Sequence, residues 1–407
     1  MKKIIVNGGR ALSGEILPQG SKNAALPILF ASLLVDGISE ISNVPDIGDV
    51  QVAVDILHQL GAKTERYGTV LSVDARRVKY RTPDRESVRK IRASSYLLGA
   101  CLARFGIAEI MEFGGCNFDL RPIDLHIYAA TVLGARLDGA VLRTEGLKGS
   151  AVEFPKPSVG ATINALLMAT SAEGQTVIKG GAREPHVFAL VNYLRSAGAD
   201  IREVGDTLTV RPATLKGAAF AVIPDMIEAG TYLYLAPLTE GKISVVGDFA
   251  DCLDAPLSVL SSAGASVRKQ EKGGICVFGV PKKEINIATS PYPGYPTDLQ
   301  PQLAPIMAKY RGGSITEGVW LGRFGYLSEL SRFGISYDKC GNTAWLLPSR
   351  LSAASVTAPD LRGGMACLMC ALAAEGRSEI YSADTILRGY SSLAEKLSAL
   401  GADVKIC

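Results

Sequence analysis

The sequence predicts an α/β fold built from six similar repeats of about 65 residues, grouped three to a domain, and three observations lead to it. A segment of helical character that ends in glycine recurs along the whole chain at intervals of 64 to 73 residues. A strand of alternating polarity follows each glycine, and several of these strands turn and return as a hairpin. Such regularity over the full length indicates a repeat architecture. The glycines are Gly61, Gly134, Gly198, Gly264, Gly334 and Gly401.

Each part of the repeat has a local physical reason. Glycine ends a helix because the left-handed conformation required there is cheap only without a Cβ. The run 199–204 alternates apolar and polar residues, which predicts a strand with one buried face. Gly205-Asp206 and Gly341-Asn342 are typical hairpin turns. Helix–glycine–strand segments also occur in ordinary α/β proteins, but the even spacing favours repeats that form mixed sheets covered by helices.

Composition excludes several classes of protein. The chain has 407 residues, 47% hydrophobic and 20% charged, with a formal net charge of +3, so no general attraction to nucleic acid or membrane surfaces is expected. The longest apolar stretch, 24–35, is too short to span a bilayer, and no apolar segment of signal-peptide type follows the basic N-terminus. We therefore expect a cytoplasmic protein without membrane insertion.

Eight cysteines are scattered without the pattern of a disulfide framework. Cys367 and Cys370 lie in an apolar run, where packing in the core is expected. Cys116 differs because Gly114 and Gly115 precede it, which predicts a loop, and nearby cations could lower its pKa and make it an acid or nucleophile. No HExxH, Walker A or GxGxxG motif is present, so neither a metal nor a nucleotide cofactor is predicted.

Two segments are suited to anions. Ser21 can cap a helix that begins at Lys22, where a cation opposes the helix dipole and lies beside free backbone N–H groups. The loop 156–160 also enters a helix and is suited to a diphosphate. A solvated lysine is the alternative for Lys22, and the sequence alone leaves both open.

For several further polar residues the sequence is compatible with either a functional or a structural role. Arg92, Arg323, Arg362 and Arg388 stand beside small or turn residues, where they could bind phosphate and carboxylate or could form surface ion pairs. Asp298 ends a turn rich in proline and glycine at a predicted helix start, where it could act as a helix N-cap or as a general base.

With these residues assembled, the chain resembles the enolpyruvyl transferase superfamily over its whole length. The loop that carries Cys116 points to the UDP-sugar branch rather than to 5-enolpyruvylshikimate-3-phosphate synthase. The segments that carry the resemblance are Gly20-Ser21-Lys22-Asn23-Ala24, Gly114-Gly115-Cys116, Arg121-Pro122-Ile123-Asp124-Leu125-His126, Ser158-Val159-Gly160-Ala161-Thr162, Arg183-Glu184-Pro185, Pro296-Thr297-Asp298, Asp360-Leu361-Arg362 and Arg388-Gly389-Tyr390.

The resemblance implies a two-domain inverted α/β barrel with three repeats in each domain. One domain would comprise residues 22–224 and the other residues 1–21 with 225–407, facing each other across a cleft that closes on substrate. It also implies an enzyme that transfers the enolpyruvyl group of phosphoenolpyruvate to the 3-hydroxyl of UDP-N-acetylglucosamine by addition and elimination, releasing phosphate, in peptidoglycan precursor synthesis. No metal or organic cofactor is implied.

Roles for individual residues also follow from the resemblance. Lys22, Arg121 and Arg388 would hold phosphoenolpyruvate, Cys116 would protonate its methylene carbon, and Asp298 would take the proton of the sugar hydroxyl. Arg323 and Arg362 match arginines that approach on closure. The remaining substrate-binding positions are Asn23, Arg92, Pro122, Ile123, Asp124, Leu125, Lys156, Pro157, Ser158 and Val159, together with Val319.

Several positions depart from the family pattern. Asp119 replaces a usual Gly, Met226 an Arg, Phe113 and Cys101 a Pro each, and Pro157 a Val. None of them removes a catalytic group. Two alternatives therefore stay open, namely an enolpyruvyl transferase for another nucleotide and a regulatory paralogue that binds UDP-sugar without turnover.

Overall fold

The computed structural model describes residues 2–115, 121–249, 251–271 and 273–407, which fall into two contact units. We call residues 20–115 with 121–223 the N-terminal unit, and residues 2–19 with 224–407 the C-terminal unit. In the described ranges the helices are α1 Lys22–Ala31, α2 Gly48–Gln59, α3 Arg85–Lys90, α4 Leu97–Phe105, α5 Asp124–Val132, α6 Val159–Ala169, α7 Pro185–Ser196, α8 Met226–Leu238, α9 Asp254–Ala263, α10 Gln300–Lys309, α11 Leu327–Leu330, α12 Leu361–Ala373, α13 Asp384–Leu387 and α14 Leu393–Ala399.

Strands alternate with these helices along the chain. They are β1 Ile4–Gly8, β2 Ser13–Ile16, β3 Ile38–Ser42, β4 Lys63–Tyr67, β5 Val70–Asp74, β6 Ile107–Glu109, β7 Arg136–Asp138, β8 Val141–Arg143, β9 Ala151–Glu153, β10 Thr176–Lys179, β11 Asp200–Val204, β12 Thr207–Arg211, β13 Ala219–Ala221, β14 Lys242–Val245, β15 Ser266–Lys269, β16 Ile275–Phe278, β17 Ile285–Ala288, β18 Gly313–Thr316, β19 Tyr337–Cys340, β20 Thr343–Leu346, β21 Ser355–Thr357, β22 Gly376–Tyr381 and β23 Asp403–Ile406.

The six predicted glycines follow helices and adopt the left-handed conformation that was expected. Their φ angles lie between 91° and 107°. The strand after the glycine begins two or three residues later, and in the first five repeats it returns as an antiparallel hairpin, such as β11 with β12. The six-repeat interpretation is confirmed by these elements.

Each repeat contributes one sheet. Within the described residues the N-terminal unit holds the sheets β13-β3-β5-β4, β6-β8-β7 and β11-β12-β10-β9, and the C-terminal unit holds β15-β16-β14-β2, β17-β18-β20-β19 and β21-β22-β1-β23. The sixth repeat differs because β23 is followed only by Cys407. The antiparallel partner of β23 is instead β1, with Ile4 opposite Ile406. The N-terminal strand thus completes the last repeat.

Apolar helices form the interior of each unit. In the N-terminal unit α1, α4 and α6 pack together, and in the C-terminal unit α8, α10 and α12 do so. Residues 161–169 of α6 and 361–372 of α12 are all buried, as expected for helices that are apolar on every side. Cys367 and Cys370 lie in this core with no exposed surface, which confirms the prediction for them. With helices inside and sheets outside, each unit has the inverted α/β arrangement.

Within the described residues the chain passes from one unit to the other near residues 19–20 and 223–224. Strand β2 pairs with β14 of the C-terminal unit, whereas α1, which follows it, belongs to the N-terminal unit. Strand β13 pairs with β3, whereas α8 belongs to the C-terminal unit. In the described ranges no helix is long and apolar enough to cross a membrane.

The repeat glycines can be tested at Gly401, where φ is 96° and an added Cβ meets no described atom within 4 Å. We expect Gly401→Ala to lower the free energy of unfolding by about 1–2 kcal/mol, because only the left-handed backbone opposes the substitution. Gly325 has equally open surroundings without a positive φ, so Gly325→Ala is the matched control and should change stability by less than about 0.5 kcal/mol. Urea denaturation of both variants measures the difference; equal effects would contradict the prediction.

Candidate active site

Lys22 is the first residue of α1, as the sequence predicted. The Ser21 hydroxyl caps the helix and accepts a hydrogen bond from the Ala24 amide at 3.3 Å. The Lys22 ammonium lies 2.7 Å from a carboxylate oxygen of Asp49 on α2, and both side chains are largely buried. Lys22 is therefore not simply solvated, because a carboxylate compensates its charge. An anion bound here would share the lysine with Asp49.

Two arginines of the predicted site approach each other in the N-terminal unit. Arg92 donates through Nη2 to the backbone oxygen of Arg121 at 2.6 Å. Burial, together with the neighbouring Arg121 charge, lowers the pKa of Arg92 to about 10. Adjacent guanidinium groups that repel each other favour a bound anion, which would relieve the repulsion.

Gly115 is packed against this pair. A Cβ at Gly115 would lie 2.8 Å from Nη1 of Arg121 and 3.0 Å from Cβ of Arg92, and its φ is 118°. Glycine is needed for close approach as well as for backbone conformation. Cys116, the next residue, and Asp119 lie outside the described residues, so the role predicted for Cys116 stays a prediction.

The start of α6 lies close to the segment that contains Arg121. Ser158 caps α6 and accepts from the Ala161 amide at 3.4 Å. The buried ring of His126 on α5 lies against the first turn of α6, since a Cβ added at Gly160 would be 2.4 Å from His126 Nε2. The fold thus brings the 121–125 and 156–159 segments of the predicted site together.

His126 has an unusual environment within the described part of the chain. Neither of its ring nitrogens has a hydrogen-bond partner among the described residues. Burial, together with the Arg92 charge, lowers the pKa of His126 to about 4. The ring is therefore neutral at pH 7, in keeping with its position beside a cationic cluster.

Asp298 in the C-terminal unit is held by two arginines. Its Oδ1 accepts from Arg323 Nη1 at 2.9 Å, and its Oδ2 accepts from Arg362 Nη2 at 2.9 Å and Nε at 3.2 Å. The arginine side chains are 3% exposed and Asp298 is 29% exposed. Burial alone would raise the pKa of Asp298, but Arg362 and Arg323 hold it well below its usual range.

This geometry excludes one of the two roles that the sequence suggested for Asp298. Helix α10 begins at Gln300, and its N-cap is Leu299, which makes no side-chain capping bond. The Asp298 carboxylate turns instead to Arg323 and Arg362, which are 25 and 64 residues further along the chain. The helix-cap interpretation is therefore wrong, because two charged donors outweigh one backbone amide.

Sequence reasoning missed Glu317, which organises the surroundings of Asp298. Its buried carboxylate accepts from the Thr297 hydroxyl at 3.0 Å and from the Val319 and Trp320 amides at 3.1 Å each. Arg323 Nη1 donates to the same Thr297 hydroxyl at 3.0 Å. One carboxylate thus fixes both the turn before Asp298 and the loop that carries Val319. The available signal was an acidic residue directly after strand β18.

Arg388 follows α13 in a turn that is linked to the Asp298 cluster. The Tyr390 hydroxyl lies 3.2 Å from Arg362 Nη1, 3.1 Å from the Thr231 hydroxyl and 3.3 Å from Gln302 Nε2. Arg388 itself is half-buried. In the C-terminal unit the structure therefore brings Asp298, Arg323 and Arg362 into contact and connects them to the Arg388 turn through Tyr390.

The remaining predicted positions differ in exposure. Asn23 is half-buried at the start of α1, while Lys156 and Pro157 are exposed in the loop before α6. Among the departures from the family pattern, Cys101 is buried in α4 and its pKa is raised to about 12 by that burial. Met226 and Phe113 are partly buried against the two cores.

Comparisons with known proteins agree over the full chain. A family model described as EPSP synthase (3-phosphoshikimate 1-carboxyvinyltransferase) matches residues 6–397. A protein of Halothermothrix orenii named UDP-N-acetylglucosamine 1-carboxyvinyltransferase is 42% identical over 413 residues, covering 100% of this chain and 99% of the relative. A protein of Streptococcus agalactiae named UDP-N-acetylglucosamine 1-carboxyvinyltransferase 1 is 38% identical with the same coverage.

Solved structures show the same architecture. The enolpyruvyl transferase NikO from Streptomyces tendae superposes with a TM-score of 0.88 at 26% identity and covers 100% of this chain and 99% of its own. EPSP synthase from Acinetobacter baumannii gives a TM-score of 0.75 at 16% identity, covering 100% of this chain and 99% of its own, which supports the fold alone.

The Asp298 ion pairs predict a large effect on stability. Asp298→Asn keeps the shape but leaves two buried arginines without their counter-charge, and breaking a buried pair in this way costs about 3–5 kcal/mol. Asp403→Asn is the control, because Asp403 pairs with Arg10 at the surface, where an ion pair contributes about 0–1 kcal/mol. Urea denaturation should separate the two variants; if they lose similar amounts, Asp298 does not neutralise the arginines.

His126 predicts a pH dependence of stability. Its pKa is lower in the folded protein, about 4, than the ordinary 6.5, so the stability it contributes is present above pH 6.5 and is lost as the pH falls toward 4. A difference of this size corresponds to about 3 kcal/mol. We expect His126→Leu to flatten the loss of thermal stability between pH 6.5 and 4, whereas His58→Leu, at an exposed histidine, should keep the parental slope. Parallel pH profiles for parent and His126→Leu would refute this.

Proposed function

This chain belongs to the EPSP synthase family of enolpyruvyl transferases, and we propose that it transfers the enolpyruvyl group of phosphoenolpyruvate to the 3-hydroxyl of UDP-N-acetylglucosamine. Full-length relatives at 38–42% identity are named for that reaction. In the molecule, the proposal rests on the carboxylate of Asp298, which is held between two buried arginines. The carboxylate can accept a hydrogen bond from the reacting hydroxyl, and the arginines can bind anionic groups of the substrate. The product is a precursor of peptidoglycan.

Phosphoenolpyruvate carries a phosphate and a carboxylate, and both need cationic partners. We assign these to Lys22, Arg121 and Arg388. Guanidinium groups bind both anions bidentately, and Lys22 adds a compact charge at the N-terminus of α1, where the helix dipole also favours anions. The pairing of Lys22 with Asp49 keeps the lysine oriented in the absence of a second anion.

The diphosphate of the UDP-sugar suits the N-terminal unit. Arg92 and Arg121 form a cationic pair, and the first amides of α6 follow Ser158 without an acidic residue in the first turn. Phosphate groups bind at such helix starts because the free N–H groups point outward. Lys156, exposed just before the helix, adds a cation. This cluster favours a nucleotide diphosphate over a monophosphate acceptor.

The proposed reaction has two steps. The sugar oxygen attacks C2 of phosphoenolpyruvate, its proton passes to Asp298, and the Cys116 thiol donates a proton to C3, which gives a tetrahedral ketal. A proton then leaves the new methyl group and phosphate leaves C2, which restores the double bond and yields the enolpyruvyl ether. Phosphoenolpyruvate supplies the leaving group, so the protein contributes positioning and proton transfer.

The arginines around Asp298 restrict its part in the first step. Three N–H groups occupy three of the roughly four acceptor sites of a carboxylate, which leaves one for a substrate hydroxyl. With both guanidinium groups in place the carboxylate is a weak base, since a general base works best with a pKa near the operating pH. Asp298 therefore accepts the proton once at least one arginine has moved to the anionic substrate.

Location in the cytoplasm stays a prediction from the sequence.

The acceptor can be tested directly by measuring phosphate release from phosphoenolpyruvate. We expect release with UDP-N-acetylglucosamine, and at least about 100-fold less with UMP or shikimate-3-phosphate, because neither offers the diphosphate that the Arg92 cluster suits. Preference for UMP would indicate another nucleotide acceptor. Binding of UDP-N-acetylglucosamine in calorimetry with no phosphate release would indicate a non-catalytic paralogue.

The same assay tests Cys116. Cys116→Asp should keep part of the turnover, since a carboxyl group also protonates carbon, and should lose inactivation by an epoxide such as fosfomycin. Peptide mapping after limited labelling supplies the control, because Cys340 and Cys407 are exposed competitors. Modification of either before Cys116 would count against the assignment.

A further inference from the structure

The turn that carries Arg388 is held by a side chain from the other end of the chain. Gln19 Nε2 donates to the backbone oxygen of Gly389 at 2.8 Å, and Gln19 Oε1 accepts from the Ser391 amide at 2.7 Å. The two bonds lie on either side of Tyr390. Gln19 is 8% exposed, so water competes little for these groups.

Gln19 is itself fixed through its backbone. The backbone amide of Gln19 donates to Glu228 Oε2 at 2.5 Å, and its backbone carbonyl accepts from the Asp225 amide at 2.8 Å. Glu228 is fully buried and its other oxygen accepts from Lys396 of α14 at 2.7 Å. Because α14 follows the Arg388 turn, the contacts close a ring within the C-terminal unit.

The turn needs such support because its own backbone is strained. Ser392, at its end, has a φ of 48°, in the left-handed region that non-glycine residues rarely adopt. Strain of this kind persists only where surrounding contacts determine the conformation. Gln19 supplies the donor and the acceptor that hold the preceding residues.

We propose that Gln19 is a positioning residue for Arg388, one that sets the direction of its guanidinium toward phosphoenolpyruvate. The assignment of Arg388 to phosphoenolpyruvate rests on the proposed function. Gln19 is also the last residue of the C-terminal unit before the chain leaves for α1, which begins at Lys22. The segment that leads to Lys22 thus also holds the turn that carries Arg388.

An amide suits this position for a chemical reason. One group of the side chain must donate to the Gly389 carbonyl while the other accepts from the Ser391 N–H, and the side chain must reach both. A glutamate would offer two acceptors, one of them facing the Gly389 oxygen, which also accepts. A leucine has a similar size and offers neither.

The test compares Gln19→Leu and Gln19→Glu with the parent by two measurements. Amide hydrogen exchange over residues 388–392 measures how well the turn is held, and it needs no substrate. We expect at least about 10-fold faster exchange at Ser391 in Gln19→Leu, because the Ser391 amide loses its acceptor. Steady-state kinetics should show a KM for phosphoenolpyruvate raised about 5- to 50-fold, with the KM for UDP-N-acetylglucosamine within twofold of the parent. Gln19→Glu should be at least as impaired as Gln19→Leu.

Gln59→Leu is the matched control. In the N-terminal unit the side-chain amide of Gln59 likewise makes one donor and one acceptor bond, donating to Asp84 Oδ2 at 2.5 Å and accepting from the Asp84 backbone amide at 2.8 Å at the N-cap of α3. We expect it to leave the exchange of residues 388–392 and the KM for phosphoenolpyruvate unchanged. An equal rise of this KM in Gln59→Leu would mean a general loss of stability and would overturn the proposal.

The outcomes separate this proposal from the proposed function. Unchanged exchange at Ser391 in Gln19→Leu overturns the positioning role whatever the substrate is. Faster exchange with an unchanged KM for phosphoenolpyruvate in an active parent also overturns it. A parent that releases no phosphate from phosphoenolpyruvate refutes the proposed function instead, and the exchange measurement still decides whether Gln19 holds the turn.

Discussion

The interior helices impose the constraint on which the arrangement of polar groups depends. Helices α1, α6, α8, α10 and α12 are buried along nearly their whole length, and their charged side chains lie near the helix ends. At the N-terminus of a helix the first amides lack partners inside the helix and carry a partial positive charge. The candidate residues collect there: Lys22 begins α1, Ser158 caps α6, Asp298 comes two residues before α10 and Arg362 is the second residue of α12.

A second constraint follows from placing cations in such surroundings. A buried charge is tolerated only with a partner, and in three described places a carboxylate supplies it. Asp49 compensates Lys22, Asp298 compensates Arg323 and Arg362, and Glu228 compensates Lys396. The first two carboxylates compete with any anion for the same cations. Affinity for an anionic substrate is therefore the difference between two sets of ion pairs, and not the sum of the contacts that the substrate makes.

The features that the sequence predicted are local ones. The six glycines, the cap at Ser21 and the core position of Cys367 depend on residues within one turn or one helix, and the structure confirms them. The partners of Asp298 lie 25 and 64 residues away, and Gln19 holds a turn some 370 residues away. No periodicity or short motif encodes such contacts, because the tertiary fold alone brings the residues together. Glu317 was missed for the same reason, since its significance lies in the two loops that it joins.

The place of β1 in the last sheet has a consequence for biosynthesis. Strand β1 is made well before β22 and β23, yet it lies between them. On the ribosome the N-terminal unit, residues 20–115 with 121–223, can fold once it has emerged, whereas the C-terminal unit must wait for β22 and β23. Until then β1 presents unpaired edges, and closing a loop of nearly 400 residues has an entropic cost that local helices do not have. Nascent chains therefore depend on β22 and β23 to cover both edges of β1.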